Sequence, residues 1–412
     1  MTDVRAILDQ VRERGRDAVL TFTERFDGVR LTADQLIYDP RDVDAEEPRA
    51  AIREAIDTAI RRIRAFHRQT RPASTGNLTA EAGLELRERW VPLRRVGVYA
   101  PNGQYPLISS LLMTAIPAQE AGVDRIVVAI APRNHARTDP AWTYALRQLG
   151  LHEVLATGGA QAIAAMAYGI EGLDPVDLIA GPGNRYVTTA KQQLFSDGVV
   201  GIDLIAGPSE VLIIADSTAN PHWIALDLLS QAEHAADASA VLVSWDADLL
   251  GAVETVVEAE RHADPSRIVG RITYKPVDSP QAALSFLNQT APEHAGLVGE
   301  AAEALAPGVR TAGALFIGAM ASQALGDYLA GPSHVLPTHR SARFLSGLST
   351  RTFMRRMSVI RAGADLSANL LQKGAILADL EGLIFHRRAL TDRLRGENDR
   401  VALKEDRDEP HG

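Results

Sequence analysis

The spacing of apolar residues changes twice along this chain, and each change predicts a different kind of element. Over the first ninety or so residues Val4, Ile7, Leu8 and Val11 recur at helical spacing, as do Ile52, Ala55, Ile56, Ala59 and Ile60. A polar stretch rich in Asp and Pro connects them. From Arg95 the rhythm becomes short apolar runs separated by amphipathic segments. The run Arg95-Val96-Gly97-Val98-Tyr99 predicts a strand ending in the turn Pro101-Asn102-Gly103. A helix follows over Ile108–Ala121, closed by Gly122. Strands at 125–131, 153–156 and 176–180 then alternate with helices at 141–149 and 161–168. That alternation predicts βαβ units and a parallel sheet.

A hexapeptide repeats across the middle of the chain. Asp177-Leu178-Ile179-Ala180-Gly181-Pro182 recurs as Asp203-Leu204-Ile205-Ala206-Gly207-Pro208, and each copy reads as a strand breaking into a Gly-Pro turn. Two α/β units built on similar lines are the natural reading; chance likeness of two strand ends is the alternative. The second unit continues with a strand at 211–215, helices at 223–233, 249–261 and 281–288, and strands at 240–244 and 271–274. After Leu345 the chain returns to helix, at 365–378 and 380–394. Residues 395–412 are nearly all charged or polar and read as solvated or frayed. The expected fold is α/β: two similar, incomplete Rossmann-like α/β/α units with parallel sheets, plus helical N-terminal and C-terminal segments.

Composition narrows the function classes. At 412 residues with 46% hydrophobic content, the chain has material for two or three domains with real cores. A net charge of −9 argues against non-specific nucleic-acid binding, which needs basic patches. No apolar run reaches the roughly 18–20 residues that a membrane helix needs. The start, Met1-Thr2-Asp3-Val4-Arg5, lacks a signal-peptide core. Zero cysteines exclude disulfides and fit a reducing compartment. The expectation is a cytoplasmic protein with neither nucleic acid nor membrane as partner.

Candidate chemistry clusters late in the chain. Gln231 and His234 stand three apart at the end of a helical run and offer one amide oxygen and one imidazole to a single ion. Alone, such a pair is more often a hydrogen-bonded surface pair. Glu293-His294 joins two bases of differing pKa, useful where two protons must move; a charged turn is the plainer alternative. Asp327 and His334 flank a loop rich in Gly and Pro, and either serves equally as a capping group. His386 projects from the C-terminal helix, five residues after Glu381. With no cysteine available, a metal held here takes His, carboxylate and amide ligands. Those suit zinc, and manganese or cobalt less diagnostically. His67, His135, His152, His222, His262, His339 and His411 lie in polar or exposed-looking surroundings and take no role. The Rossmann fingerprint is incomplete: Gly181-Pro182-Gly183-Asn184-Arg185-Tyr186 places Tyr186 where the third glycine belongs. The turns Pro101-Asn102-Gly103, Gly158-Gly159 and Gly181-Pro182-Gly183 either bind a ligand or simply turn the chain.

Taken together, the motifs resemble the histidinol dehydrogenase family. The resemblance rests on the run from Ile202 to Val211, Leu228-Leu229-Ser230-Gln231-Ala232-Glu233-His234, Gly158-Gly159-Ala160-Gln161, Gly181-Pro182-Gly183-Asn184, Ala291-Pro292-Glu293-His294, and Gly326-Asp327-Tyr328 through Thr338. It spans about residues 4 to 395, with the motifs in order and at similar spacing. It implies oxidation of L-histidinol through L-histidinal to L-histidine with two NAD⁺, the last steps of histidine biosynthesis. Carried over by motif, Gln231, His234, Asp327 and His386 would hold one zinc per subunit, and Glu293 and His294 would be the catalytic acid/base pair. Ser209, Gln231, His234, His294, Asp327, His334, Glu381 and His386 would contact substrate; Tyr99, Gln161 and Asn184 would contact NAD. The resemblance also implies a homodimer in which Glu381 and His386 act in the partner's site. The corresponding division is 1–98 with 209–348 (metal and substrate side), 99–208 (NAD side) and 349–412 (dimerisation). Two positions depart from the family pattern: Asn102, where a glycine is usual, and Ser333, where many members carry Asn. The rival reading is a paralogous zinc- and NAD-dependent dehydrogenase of another small polyol, such as a sulfopropanediol.

Overall fold

The computed structural model describes residues 3–405 apart from 77–78, 103–105, 134–135, 206, 265–266 and 364. Gly103 of the expected turn, Ala206 of the second hexapeptide, His135, and the tail at 406–412 lie outside the described residues. Two compact units divide the chain, Met1–Arg71 with Pro92–Met354, and Pro72–Val91 with Arg355–Gly412.

The larger unit carries two mostly parallel sheets. The first has the spatial order Ile37–Tyr38, Glu153–Leu155, Arg125–Ile130, Arg95–Ala100, Leu178–Ala180, Gly201–Ile202. All its pairings are parallel except that of the edge strand Ile37–Tyr38. Central strands such as Arg95–Ala100 are buried along their whole length, which is why they read as unbroken apolar runs rather than alternating ones. Helices Val4–Arg14, Arg16–Asp27, Gly159–Tyr168 and Arg185–Ser196 share one core against this sheet. The second sheet runs Arg271–Pro276, Ser239–Ser244, Glu210–Ala215, His294–Val298, Ala314–Ile317, parallel throughout. Helices Pro221–Ala232 and Ala247–Ala263 cover one face of it and Pro280–Thr290 the other.

Each sheet grows outward from its first parallel strand and then reverses. The reversal lies between Arg95–Ala100 and Leu178–Ala180 in the first, and between Glu210–Ala215 and His294–Val298 in the second. Crevices at such reversals, outside the carboxyl ends of the strands, are the usual ligand sites of open α/β sheets.

The smaller unit corrects two expectations. The stretch after Leu345 is not all helix, because Met354–Ala362 is a strand. It pairs with Leu84–Pro92, which pairs in turn with Thr79–Glu81, and these two strands lie inside a region expected to be mainly helical. Only one residue of Met354–Ala362 is buried. The residues facing solvent there are Arg-rich, so the strand lacks the apolar rhythm by which strands are recognised. The last helix, Ile384–Glu405, extends well past residue 394 into the segment expected to fray. The repeat is also less regular than it reads. The first hexapeptide contains the strand Leu178–Ala180, whereas the second begins after the strand Gly201–Ile202 and none of its described residues is in a strand.

Candidate functional site

Helix Pro221–Ala232 starts with Asn220 as its cap and Pro221 at its first position, and buries Ile224, Ala225, Leu228, Leu229, Gln231 and Ala232. Gln231 therefore sits on the core-facing side, wholly buried. The helix ends before His234, but the His234 N–H bonds back to the Gln231 carbonyl at 3.3 Å and keeps the two side chains together. Gln231 Nε2 is 3.4 Å from His234 Nδ1, while Gln231 Oε1 accepts from Gln323 Nε2 at 3.2 Å. Gln323 opens the short helix Gln323–Tyr328 that carries Asp327. Ser322, its cap, donates to Asp227 Oδ1 at 2.7 Å, so this short helix is pinned to the one that carries Gln231.

Glu293 and His294 come from the start of a central strand of the second sheet. Helix Pro280–Thr290 ends on Ala291 in left-handed conformation (φ 49°), which swings the chain into the strand His294–Val298. An alanine held there is strained backbone of the kind that concentrates at functional sites. The backbone of one residue holds both side chains: the Glu210 N–H donates to Glu293 Oε2 at 2.8 Å, and His294 Nδ1 donates to the Glu210 carbonyl at 3.1 Å. Because a carbonyl only accepts, Nδ1 carries a proton, which leaves Nε2 as the nitrogen that can exchange its own. His294 Nε2 faces Asp327 Oδ1 at 3.7 Å.

The electrostatics differ sharply among these groups. Burial pushes the Glu293 carboxyl up to about 7, with Asp327 and Glu210 adding to the rise and His294 opposing it. Burial works against the His294 imidazolium, but Asp327 and Glu293 outweigh it and the pKa is raised. For Asp327, burial favours the acid, yet His294, His334 and His234 together hold the carboxyl below its usual range. His334 goes the other way, lowered chiefly by burial. Its Nδ1 donates to the Asp327 carbonyl at 2.9 Å, which leaves Nε2 to accept from Ser110 Oγ at 3.3 Å and fixes a neutral ring. The larger unit thus brings Gln231, His234, Glu293, His294, Asp327 and His334 into one neighbourhood. Ser209, half-buried, precedes Glu210, whose backbone holds the pair. This group lies at the amino ends of the second sheet's central strands, not at the carboxyl ends where open sheets usually bind. Glu381 and His386 belong to the smaller unit, exposed at the junction of its last two helices. Among the described residues no three His, Asp or Glu side chains form a group that could hold a metal ion.

The candidate NAD residues cluster at the reversal of the first sheet. Tyr99 is buried at the end of its strand, and its hydroxyl accepts from the Gly159 N–H at 3.1 Å. Gln161, also buried, lies one turn into helix Gly159–Tyr168, with Nε2 3.5 Å from Thr157 Oγ1. Asn184 caps helix Arg185–Ser196 by accepting from the Tyr186 and Val187 N–H groups. Gly181 has φ 115° and packs on the Tyr99 carbonyl; a Cβ there would lie 2.2 Å from that oxygen. Asn102, in the turn after Tyr99, is buried and donates to the carbonyls of Ala131 and Arg133 at 3.0 and 2.7 Å. Ser333 is buried too, its hydroxyl accepting from the Val335 N–H at 3.2 Å.

Sequence reasoning missed several partners. Ser110, Gln323, Lys191 and the Glu210 peptide bear on these sites only through tertiary contacts. His67 needs a correction: expected in polar surroundings, it is fully buried, with neither ring nitrogen hydrogen-bonded, and burial lowers its pKa to about 4. The signal existed, since Ile56, Ile60, Ile63 and His67 follow one helical stripe.

Comparison with known proteins bears on this arrangement. The sequence profile of the histidinol dehydrogenase family matches residues 1–394. Histidinol dehydrogenase from Caulobacter vibrioides is 43% identical over 95% of this chain and 92% of its own length. The crystal structure of histidinol dehydrogenase from Elizabethkingia anophelis is 32% identical, covers 97% of this chain and 94% of that one, and superposes with a TM-score of 0.89. An acetylating aldehyde dehydrogenase from Geobacillus thermoglucosidasius shares the fold alone, at 11% identity and a TM-score of 0.51 over 87% of this chain and 96% of that one. With profile, sequence and structure matching almost end to end, the chain belongs to the histidinol dehydrogenase family.

Proposed function

We propose that this protein is an NAD-dependent oxidoreductase that converts L-histidinol to L-histidine through L-histidinal, reducing two NAD⁺. The comparisons favour this substrate over a sulfopropanediol or other small polyol. The observation that carries the chemistry is the Glu293–His294 pair, two buried bases held by the backbone of a single residue, Glu210.

In the first oxidation His294 Nε2, as the free base, takes the alcohol proton, and NAD⁺ when bound would supply the hydride acceptor. Asp327, opposite that nitrogen, steadies the imidazolium formed. The second oxidation needs an oxygen atom. The chain has no cysteine, so no thiohemiacetal forms on a protein thiol, and water adds to the aldehyde instead. Glu293 is the base for that water: a carboxyl that titrates near 7 accepts a proton and gives it up readily at neutral pH. His294, once its first proton has passed to solvent, deprotonates the hydrate as the second hydride leaves. Tyr99, Gln161 and Asn184 are our candidates for holding the dinucleotide at the first sheet's reversal.

A zinc ion fits the donors in kind. Gln231 supplies a buried amide, His234 an adjacent imidazole, and Asp327 a carboxylate whose lowered pKa keeps it ionised. His386 would be the fourth ligand, with Glu381 on the substrate, both given by a second copy of the chain. When bound, the ion would hold and orient the substrate's imidazole and amine. Ser209 and His334 are the remaining substrate contacts proposed. Support for a homodimer comes from the smaller unit's apolar exposure, with Leu380 and Phe385 83% and 78% exposed beside Ile376, Leu377 and Ile384. Among the described residues no helix is long and apolar enough to cross a membrane.

The test is NADH formed per L-histidinol consumed by zinc-loaded protein, with chelator-treated protein as control. Two NADH, abolished by chelation, is the expected result. One NADH with accumulating aldehyde would overturn the role given to Glu293, and none would overturn the substrate.

A further inference from the structure

A buried ion pair stands behind the turn Gly181-Pro182-Gly183-Asn184. Lys191, on helix Arg185–Ser196, and Asp203, after the strand Gly201–Ile202, have side chains only 4% and 1% exposed, and they hydrogen-bond each other. Both also grip the Gly181 peptide unit's flanking groups: Asp203 Oδ2 accepts from the Gly181 N–H at 2.8 Å, and Lys191 Nζ donates to the Gly181 carbonyl at 3.1 Å. The residue they hold is the one with φ 115° pressed on the Tyr99 carbonyl. A buried pair of this kind is a poor device for stability, since desolvating both charges consumes most of what their attraction returns. What it gives is position. Gly181 has no side chain through which its conformation could be set, and Pro182 has no N–H to anchor, so the turn is held through Gly181's own N–H and C=O.

We infer that Lys191 and Asp203 are positioning residues for the dinucleotide: they preset the Gly181–Asn184 turn before NAD⁺ arrives. The inference rests on placing NAD⁺ at the first sheet's reversal. Neither side chain touches the cofactor in this scheme; they act through Gly181. Preorganisation of this sort appears as affinity, because the turn's ordering cost is met at folding rather than at binding.

Removing one partner leaves a buried unpaired charge and threatens folding, so the informative variant removes both: Lys191→Met with Asp203→Leu. The expected result is a folded protein whose Kd for NAD⁺ rises about tenfold, with the Kd for L-histidinol and kcat at saturating NAD⁺ within about twofold of wild type. A folded double variant with wild-type NAD⁺ affinity would overturn the inference. Hydrogen exchange on the unmodified protein gives a second reading independent of any variant's folding. Peptides covering 181–187 should exchange slowly without NAD⁺ and change less than about twofold on its addition. Free exchange that becomes protected only with NAD⁺ would mean that the ligand, not the ion pair, orders the turn. Asn184→Ala separates the two levels of the argument. If it weakens NAD⁺ binding while the double variant does not, the clamp fails and the placement of NAD⁺ stands. If neither moves, the placement itself is wrong.

Discussion

Glu293 is held where its charged form is costly, so Glu293→Gln should make the protein more stable as it makes the enzyme worse. The side chain is 6% exposed and its carboxyl is raised from 4.5 to about 7, with burial the largest cause. Folding linkage sets the sign. Between those two values the native state binds more protons than the unfolded state, so this group's contribution to stability falls as pH rises from 4.5 to about 7 and is fully lost above. At 1.36 kcal/mol per pH unit the loss is about 3 kcal/mol. That figure is already net of the attraction to His294, which opposes the rise. A glutamine retains an oxygen for the Glu210 N–H, so the local structure should persist. The assay is denaturant unfolding of both proteins between pH 4 and pH 8. Their stabilities should coincide near pH 4 and separate steadily toward pH 8, with the variant ahead. In parallel, turnover of L-histidinal should fall about 10²–10⁴-fold, the usual scale of lost general-base catalysis. NADH per L-histidinol should drop from two toward one. Parallel stability curves across the whole range would refute the claim that Glu293 ionises at a cost set by burial.

Other substitutions separate the remaining roles. His294→Asn should lower both oxidations by about 10²–10⁴-fold while leaving zinc content, measured by elemental analysis, unchanged; loss of zinc would mean that base and ligand have been confused. His234→Asn should bind little zinc, and a fully metallated variant would remove His234 from the ligand set. Gly181→Ala forces a Cβ to 2.2 Å from the Tyr99 carbonyl at a φ of 115°, so it should cost roughly 2–4 kcal/mol in stability and weaken NAD⁺ binding together. An unchanged melting temperature would show that the turn relaxes freely.

The parallel sheets were the most legible part of the chain, because strands buried on both faces are written as short apolar runs between helical periods. Val211 to Ala215 and Arg125 to Ile130 are such runs, and both are strands. Met354–Ala362 was not legible: with one buried residue it is defined by its hydrogen-bonding neighbours rather than by its own apolar pattern. His67 failed for a related reason, since a polar residue on an apolar stripe reads as surface until its environment is known.

The linear chain by itself determined the residue types and their local geometry. It set the absence of any thiol, the adjacency of Glu293 and His294, the capping of helices by Asn184 and Asn220, and the Gly-Pro turns. Each of these depends on covalent identity or on contacts within a few residues. Tertiary structure decided what those residues became. The Glu210 backbone that holds both bases is more than eighty residues away from them in sequence, and Gln323 reaches Gln231 across a similar separation. The carboxyl of Glu293 differs from any exposed glutamate only through burial and nearby charge. Desolvation and Coulomb interaction depend on position in space, and the spacing of letters along a chain carries no record of either.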